Sequence, residues 1–288
     1  MQTNQKQLII HGGLSAEDLP EEDRQVRREA LRDILAEGHA VLDRQGAYQA
    51  VIRSCELLED CQLFNAGTGS TIQRDGQIRL SCGLMDGHRQ SFSGLVNARL
   101  IKNPIHLAAK LQTLGDRLLD STGAELFARM SGAEVYDPAT SKVIDRWARH
   151  RFEDHFTRTH GTVGAAAVDA EGRLAAATST GGRFMAGVGR VSDSCTPAGN
   201  YANDWCALSC TGHGEDILDE ALAVRVVVRV TDGMSLVDAV ERSFSEARER
   251  GRDLAAICVD RSGNIAWQAT LGMLVAAYFD REMFRATF

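Results

Sequence analysis

The stretch from His160 to Gly182, "HGTVGAAAVDAEGRLAAATSTGG", constrains the fold more than any other part of the chain. Two runs of small residues flank Glu171-Gly172, and glycine after a polar residue predicts a hairpin turn between two strands. Each run touches threonine, and the first opens on a bare Gly-Thr pair, Gly161-Thr162. Taken alone, Thr162 reads as a strand-opening threonine, since β-branched residues favour strands.

The rest of the chain falls into blocks around that hairpin. "QLIIHGG" predicts a short buried strand. "EEDRQVRREALRDILAEGHAVLDRQG" predicts a helix with Val26, Ala30, Leu31, Ile34, Leu35 and Leu42 on one face and Gly46 as its stop. A second helix, "AYQAVIRSCELLED", leads into a glycine loop, "CQLFNAGTGS". A hairpin is expected in "STIQRDGQIRLSCGLMDG", turned at Asp75-Gly76, and a small-residue strand near "SFSGLVNARL". Pro104 opens a helix in "NPIHLAAKLQTL", and "TSKVIDRWARHRFEDHF" sets Ile144, Trp147, Phe152 and Phe156 at helical spacing. "CALSCTGHGED" reads as loop-rich, although "WCALSCTG" also fits a buried strand. One long helix is expected from Ile217 to about Val230, and "LAAICVDRSGNIAWQATLG" closes as strand, turn, strand. Blocks of strands and helices, rather than strict alternation, favour stacked sheets covered by helices over a doubly wound fold.

Charge and composition remove whole classes of function. A formal charge of -7 without a dense Lys/Arg cluster offers phosphate backbones no field, which argues against nucleic acid. No apolar run approaches the roughly 20 residues of a membrane span, and "MQTNQKQLIIHGG" lacks a signal peptide's basic start and apolar run, so a cytoplasmic protein without membrane contact is expected. The seven cysteines, Cys55, Cys61, Cys82, Cys195, Cys206, Cys210 and Cys258, sit mostly in apolar segments and predict reduced core thiols.

Several patterns mimic functional motifs. His150, His155 and His160 are five apart, which does not stack side chains on one helical face. Cys206, Cys210 and His213 form C-x3-C-x2-H, three ligands where structural zinc needs four. "GVGRVS" lacks the last glycine of a dinucleotide loop.

Taken together, "IIHGG", "LLEDCQLFNAGTGS", "LMDG", "IKNPIHLA", "GTVGAAAVDAEGRLAAATSTGG", "GRVSDS", "YAN" and "SCTGHGE" resemble, in order and spacing, the plant-type L-asparaginases or isoaspartyl peptidases. These are threonine-type N-terminal nucleophile hydrolases. The resemblance implies an α+β fold, a four-layer αββα sandwich, in which residues 1–288 form one domain that cuts itself between Gly161 and Thr162. The resulting 1–161 alpha and 162–288 beta subunits are expected to pair as a homodimer of processed units. Thr162 would be the nucleophile, Thr180 the hydroxyl that tunes it, and Thr211 with Gly212 the oxyanion donors. Asn65, Arg190, Asp193 and Gly214 would bind substrate, Arg190 taking the α-carboxylate and Asp193 the α-amine. No catalytic cofactor is implied, but a structural sodium ion is, held by the backbone carbonyls of Leu58, Glu59, Cys61, Phe64, Ala66 and Thr68.

Threonine suits this chemistry because its hydroxyl attacks a carbonyl while its freed α-amine, with a reference pKa of about 7.7, serves as base. The implied reaction is hydrolysis of β-aspartyl amides, in dipeptides or L-asparagine. Two alternatives stand beside it: a narrower or taspase-like threonine hydrolase with another leaving group, and an uncut relative that binds an amino acid. The chain departs from the family pattern in its short linker before Thr162, in "HGGLS", in the short "CTPAGNYAN" and in His213, where a small hydroxyl is usual. The segment from Cys195 to Asn200 is therefore expected to touch the leaving group.

Overall fold

A computed structural model of the chain describes residues 5–15, 18–153 and 161–288. Along it run β1 (Gln7–Ser15), α1 (Glu21–Gln45), α2 (Ala47–Asp60), β2 (Leu80–Asp86), β3 (Ser91–Ala98), α3 (Pro104–Leu111), β4 (Leu118–Leu119), α4 (Ser121–Met130), α5 (Ser141–His150), β5 (Val163–Val168) and β6 (Leu174–Thr180). After these come β7 (Asn200–Ala202), β8 (Cys206–Gly212), α6 (Gly214–Glu220), α7 (Leu222–Thr231), α8 (Leu236–Glu249), β9 (Leu254–Asp260), β10 (Ile265–Ala269), β11 (Met273–Asp280) and β12 (Met283–Ala286). Helix and sheet are mixed in an α+β manner. The strands form a larger sheet ordered β12-β11-β1-β5-β6-β2-β3-β4 and a smaller one ordered β10-β9-β8-β7.

The small residues of β5 explain how these sheets are covered. Successive strand side chains point to opposite faces. Val163, Ala165 and Ala167 join a core cluster with Leu31 and Leu35 of α1 and Val51 and Cys55 of α2. Ala166 and Val168 face the other way, into a cluster with Ala207, Ala255, Ile257 and Val259 of the smaller sheet. A third cluster joins Cys206, Leu208 and Cys210 of β8 to Val226 of α7 and Phe244 of α8. With both faces covered, β5 has no polar alternation to show, hence its run of alanines. Leu35 and Phe244 are fully buried, and cutting either to alanine costs about 2–5 kcal/mol.

The expected Glu171-Gly172 hairpin is present: β5 and β6 pair antiparallel from Val163↔Ser179 to Val168↔Leu174. Other expectations are corrected. Residues 70–79 form an irregular loop, not a hairpin arm; β2 starts at Leu80 and pairs with β3 and β6 instead. Side chains from α5 hold that loop: Ile72 and Ile78 pack against Val143 and Trp147, and Trp147 Nε1 donates to the Gln73 carbonyl at 3.1 Å. The single helix expected over 217–230 is two, broken at Ala221, whose φ of 46° is left-handed. The break lets α7 dock its start, as Ala223 N–H donates to the Ala198 carbonyl at 2.8 Å. Val26 lies on the exposed side of α1. Phe156, His155 and His160 lie outside the described residues. Among the described residues no helix is long and apolar enough to cross a membrane, and all seven cysteines are free.

Candidate active site

Strand register assembles a floor of hydroxyls. One step beyond the Val163↔Ser179 pair, Thr162 stands opposite Thr180, and its Oγ1 donates to Thr180 Oγ1 at 3.1 Å. Thr180 Oγ1 also accepts from Gly182 N–H at 3.0 Å, which fixes it as β6 ends. Both threonines are buried. Thr211, on β8 across the sheet gap, is fully buried and its Oγ1 has no partner. An unmet buried hydroxyl costs about 1–3 kcal/mol, and this one is available as a donor. Gly212 beside it has φ of 131°, and a Cβ there would lie 2.7 Å from the Asp253 carbonyl oxygen, so only glycine places this amide.

Beneath this floor lies a second polar layer that sequence reasoning missed. Period-two spacing sets Gly164, Thr178 and Ser209 on the same faces as Thr162, Thr180 and Thr211. His11 of β1 pairs in register with Gly164, and its Nε2 lies 2.9 Å from Ser209 Oγ, which lies 2.6 Å from Thr178 Oγ1. Burial pulls the His11 pKa down to about 3, against a smaller opposing pull from the Thr162 backbone carbonyl, so the ring is neutral. A Cβ on Gly164 would sit 2.0 Å from Ser209 Oγ, so the sheets approach closely here. The repeated spacing was the available signal.

The rim is charged. The pocket around Thr162 is lined by Thr180, Gly182, Arg183, Arg190, Ser192, Asp193, Gly212, His213 and Gly214. Arg190 pairs not with Asp193 but with Glu215, through Nε to Oε1 at 2.8 Å and Nη2 to Oε2 at 3.0 Å. That pair holds the Glu215 carboxyl down at about 2. Glu215 engages one side of the guanidinium and leaves its outer edge, with Nη1, for another planar anion. Asp193 is buried, which pushes its pKa up to about 6 although Arg190 pulls the other way; its Oδ1 accepts from Ser192 Oγ at 3.2 Å and its Oδ2 has no partner. Gly214 lies between them, where a Cβ would meet Arg190 Nη2 at 2.5 Å and Asp193 Oδ1 at 2.7 Å.

Asn65 stands against Gly161 and Gly181, the residues next to Thr162 and Thr180. Its side chain ties the 61–70 loop together, Nδ2 donating to the Gly182 carbonyl at 2.7 Å and Oδ1 accepting from Thr71 N–H at 2.8 Å. Its backbone N–H donates to the Gly161 carbonyl at 3.0 Å. Asn65 and Gly161 line a neighbouring cavity of about 440 Å³, whereas the open volume beside Thr162 is about 10 Å³, room for one water. The 161–162 peptide thus stands between a filled site and a roomy one. The 195–200 segment does not line the Thr162 pocket: Cys195 and Asn200 are buried, and Gly199 packs against the back of Asp193, where a Cβ would lie 2.5 Å from Oδ2. Through Gly199 it buttresses Asp193.

In the glycine loop the Glu59 carbonyl accepts from Thr68 N–H at 2.8 Å and the Cys61 carbonyl from Phe64 N–H at 3.2 Å. The Glu59 side chain, fully buried, accepts from Ser179 Oγ at 2.6 Å while its Oε2 has no partner, and burial raises its pKa to about 8. Cys206 and Cys210 point into the α7–α8 cluster while His213 faces Glu215 and Asp216 at 3.3 Å each, so C-x3-C-x2-H does not converge. Among the described residues no three His, Cys, Asp or Glu side chains gather as metal ligands. "GVGRVS" is a surface loop that carries Arg190.

A protein of Synechocystis sp. named isoaspartyl peptidase/L-asparaginase is 46% identical over 286 residues, spanning 94% of this chain and 87% of that protein. One of the same name from Nostoc sp. is 44% identical, spanning 96% and 93%. A plant-type L-asparaginase of Thermococcus kodakarensis is 35% identical, spanning 90% and 92%. The asparaginase family matches residues 4–288, a span that takes in both sheets, the threonine floor and the charged rim, and the chain belongs to that family.

Proposed function

We propose that this protein is a hydrolase of β-aspartyl amide bonds, in isoaspartyl dipeptides and L-asparagine, and that Thr162 is its nucleophile. The observation that carries the reading is the Thr162–Thr180 hydroxyl pair at 3.1 Å in one pocket with Arg190, Asp193 and Gly212. Relatives at 44–46% identity bearing the name isoaspartyl peptidase/L-asparaginase support it.

Maturation comes first. The Thr162 hydroxyl attacks the Gly161 carbonyl carbon, whose oxygen already accepts from Asn65 N–H, and the acyl group moves from nitrogen to oxygen. Water then opens the ester, leaving a carboxylate on Gly161 and a free α-amine on Thr162. Gly161 has no room for a side chain, since a Cβ would lie 2.6 Å from Asn65 Cβ. Cutting yields chains 1–161 and 162–288 and frees the strand end that now separates the filled site from its roomy neighbour.

In the mature site, Arg190 takes the substrate α-carboxylate and Asp193 its α-ammonium, which sets the β-carbonyl over Thr162. The α-amine of Thr162 takes the hydroxyl proton as oxygen attacks, and returns it to the departing amine. The orphan Thr211 hydroxyl and the Gly212 amide donate to the oxyanion. Water, activated by the same amine, releases aspartate.

The wider reading is a four-layer αββα sandwich of the N-terminal nucleophile type, supported by three apolar clusters, one between the sheets and one under the helices on either side. The 58–68 loop suits a sodium ion on the carbonyls of Leu58, Glu59, Cys61, Phe64, Ala66 and Thr68, with the buried Glu59 carboxyl close by. That ion would stiffen the loop carrying Asn65 and takes no part in the reaction. A homodimer of processed units and a cytoplasmic location, which seven free cysteines suit, complete the reading. The test is intact mass and N-terminal sequencing after incubation, followed by aspartate release from a β-aspartyl dipeptide, its α-linked isomer and asparagine. Two fragments, one beginning at Thr162, with release from the first and third substrates are expected; an uncut, inactive chain overturns the reading.

A further inference from the structure

We propose, building on the β-aspartyl hydrolase reading, that Arg183 selects the leaving half of the substrate by capturing the free α-carboxylate of the amino acid joined to the aspartyl side chain.

Arg183 follows the Gly181-Gly182 pair that ends β6, three residues after Thr180, and lines the same pocket as Thr162. Its neighbour Phe184 is buried and held under the Arg146 guanidinium, which lies 4.4 Å from the ring centroid. That anchor fixes the loop while Arg183 remains exposed at the pocket rim. Among the described residues no carboxylate lies within ion-pair distance of Arg183. Its Nη1 lies 3.4 Å from His213 Nε2, a ring contact that steers the group without bringing it a negative charge.

Counting charge around the pocket gives this cation a task. Arg190 is matched by Glu215, whose Oε2 also lies 3.3 Å from His213 Nε2, while Asp216 lies 3.3 Å from His213 Nδ1 and 3.2 Å from Arg252 Nη1. An aspartyl unit brings one carboxylate and one ammonium, which meet Arg190 and Asp193. Asparagine brings nothing more. A β-aspartyl dipeptide brings a second carboxylate, two bonds beyond the scissile nitrogen, and among the described residues Arg183 is a rim cation with no carboxylate in ion-pair reach. A planar fork of donors suits that anion. The same rim gives no such contact to a β-aspartyl peptide whose C-terminus is an amide.

The experiment measures kcat/KM of the matured protein on β-aspartyl-leucine as free acid and as C-terminal amide, with asparagine alongside, for wild type, Arg183→Met and Arg183→Lys. Wild type should prefer the free acid by about tenfold, a charge-assisted contact at a part-exposed site. The methionine variant should bring the acid-to-amide ratio close to one, the lysine variant should fall between, and added salt should shrink the wild-type preference. Where Arg183→Met does not cut itself, Arg183→Gln takes its place. A wild-type ratio near one, or a preference that survives loss of the guanidinium, overturns the role of Arg183 while leaving the hydrolase reading intact. Failure of matured wild type on all three substrates overturns both.

Discussion

The floor and the rim of the pocket are built on different principles. On the floor, Thr162, Thr180 and Thr211 are short, uncharged and buried; Thr180 and Thr211 lie on strands and Thr162 stands immediately before β5. At the rim, Arg183, Arg190, Asp193, His213 and Glu215 stand on loops and at the start of α6, where Glu215 pairs with Arg190 and lies 3.3 Å from His213. A strand position cannot shift by one residue without turning its side chain to the other face, so the floor is rigid and suits bond making. Long charged side chains choose partners among several, so the rim suits recognition. Reactivity should therefore fail when the floor is altered, and affinity when the rim is.

The largest effect should come from Thr162→Ala. Self-cutting and hydrolysis should both drop by about four orders of magnitude or more, read by intact mass and aspartate release. A variant that still yields a fragment starting at residue 162 would break the distinction outright. Next, Arg190→Ala should lower kcat/KM for β-aspartyl dipeptides by about a hundredfold while self-cutting continues. If maturation failed as badly as turnover, the rim would be part of the floor.

In the pH profile Asp193 should contribute about tenfold. Asp193 must be ionised to accept the substrate ammonium, and its carboxyl titrates near 6, so between pH 7 and pH 5 it should add about tenfold to the fall in kcat/KM that protonation of the Thr162 α-amine itself produces, and Asp193→Asn should remove that added part while leaving the rest of the limb. The sign for stability is the reverse of a paired carboxylate. A folded-state pKa raised above the unfolded value of 3.8 makes the ionised group a cost above pH 6 that vanishes as pH falls toward 4. Asp193→Asn should therefore melt higher than wild type at pH 8 and not at pH 4. An unchanged melting difference across that range would remove Asp193 from the buried, desolvated state described.

Smaller effects sharpen the boundary. Glu215→Gln weakens the hold on Arg190 and should raise KM about fivefold with kcat little changed. Ser209→Ala, one layer under Thr211, should do the opposite, lowering kcat about threefold with KM steady, because it loosens the floor without touching the rim. Equal effects on kcat and KM in both variants would mean that the two regions act as one.

Much of the floor was legible in the sequence. The small-residue runs on either side of Glu171-Gly172 specify a two-sided buried hairpin, and a period of two then sets Thr162 opposite Thr180. Even the missed layer of Gly164, Thr178 and Ser209 repeats that spacing. His11 did not announce itself, because its partner Ser209 lies 198 residues away. The irregular loop at 70–79 was misread as a hairpin since its turn residues are ordinary, and only packing against α5 denies it a partner strand. The break at Ala221 went unseen for a related reason: alanine favours helix, and a left-handed alanine costs about 1–2 kcal/mol that docking onto the 195–200 segment offsets.

What the sequence determined by itself was the threonine hairpin and the blocks of strands and helices, because strand period and small-residue runs are local properties of the chain, while the family resemblance marked the residues expected around Thr162. Only the tertiary structure decided that Arg190 is held by Glu215 rather than Asp193, that Asn65 ties a loop and polarises the Gly161 carbonyl, and that the 195–200 segment supports Asp193 from behind. Those are choices between partners of equal chemistry, and they depend on which groups the packing of two sheets and their helices brings within about 3 Å of one another, a distance that no local pattern encodes.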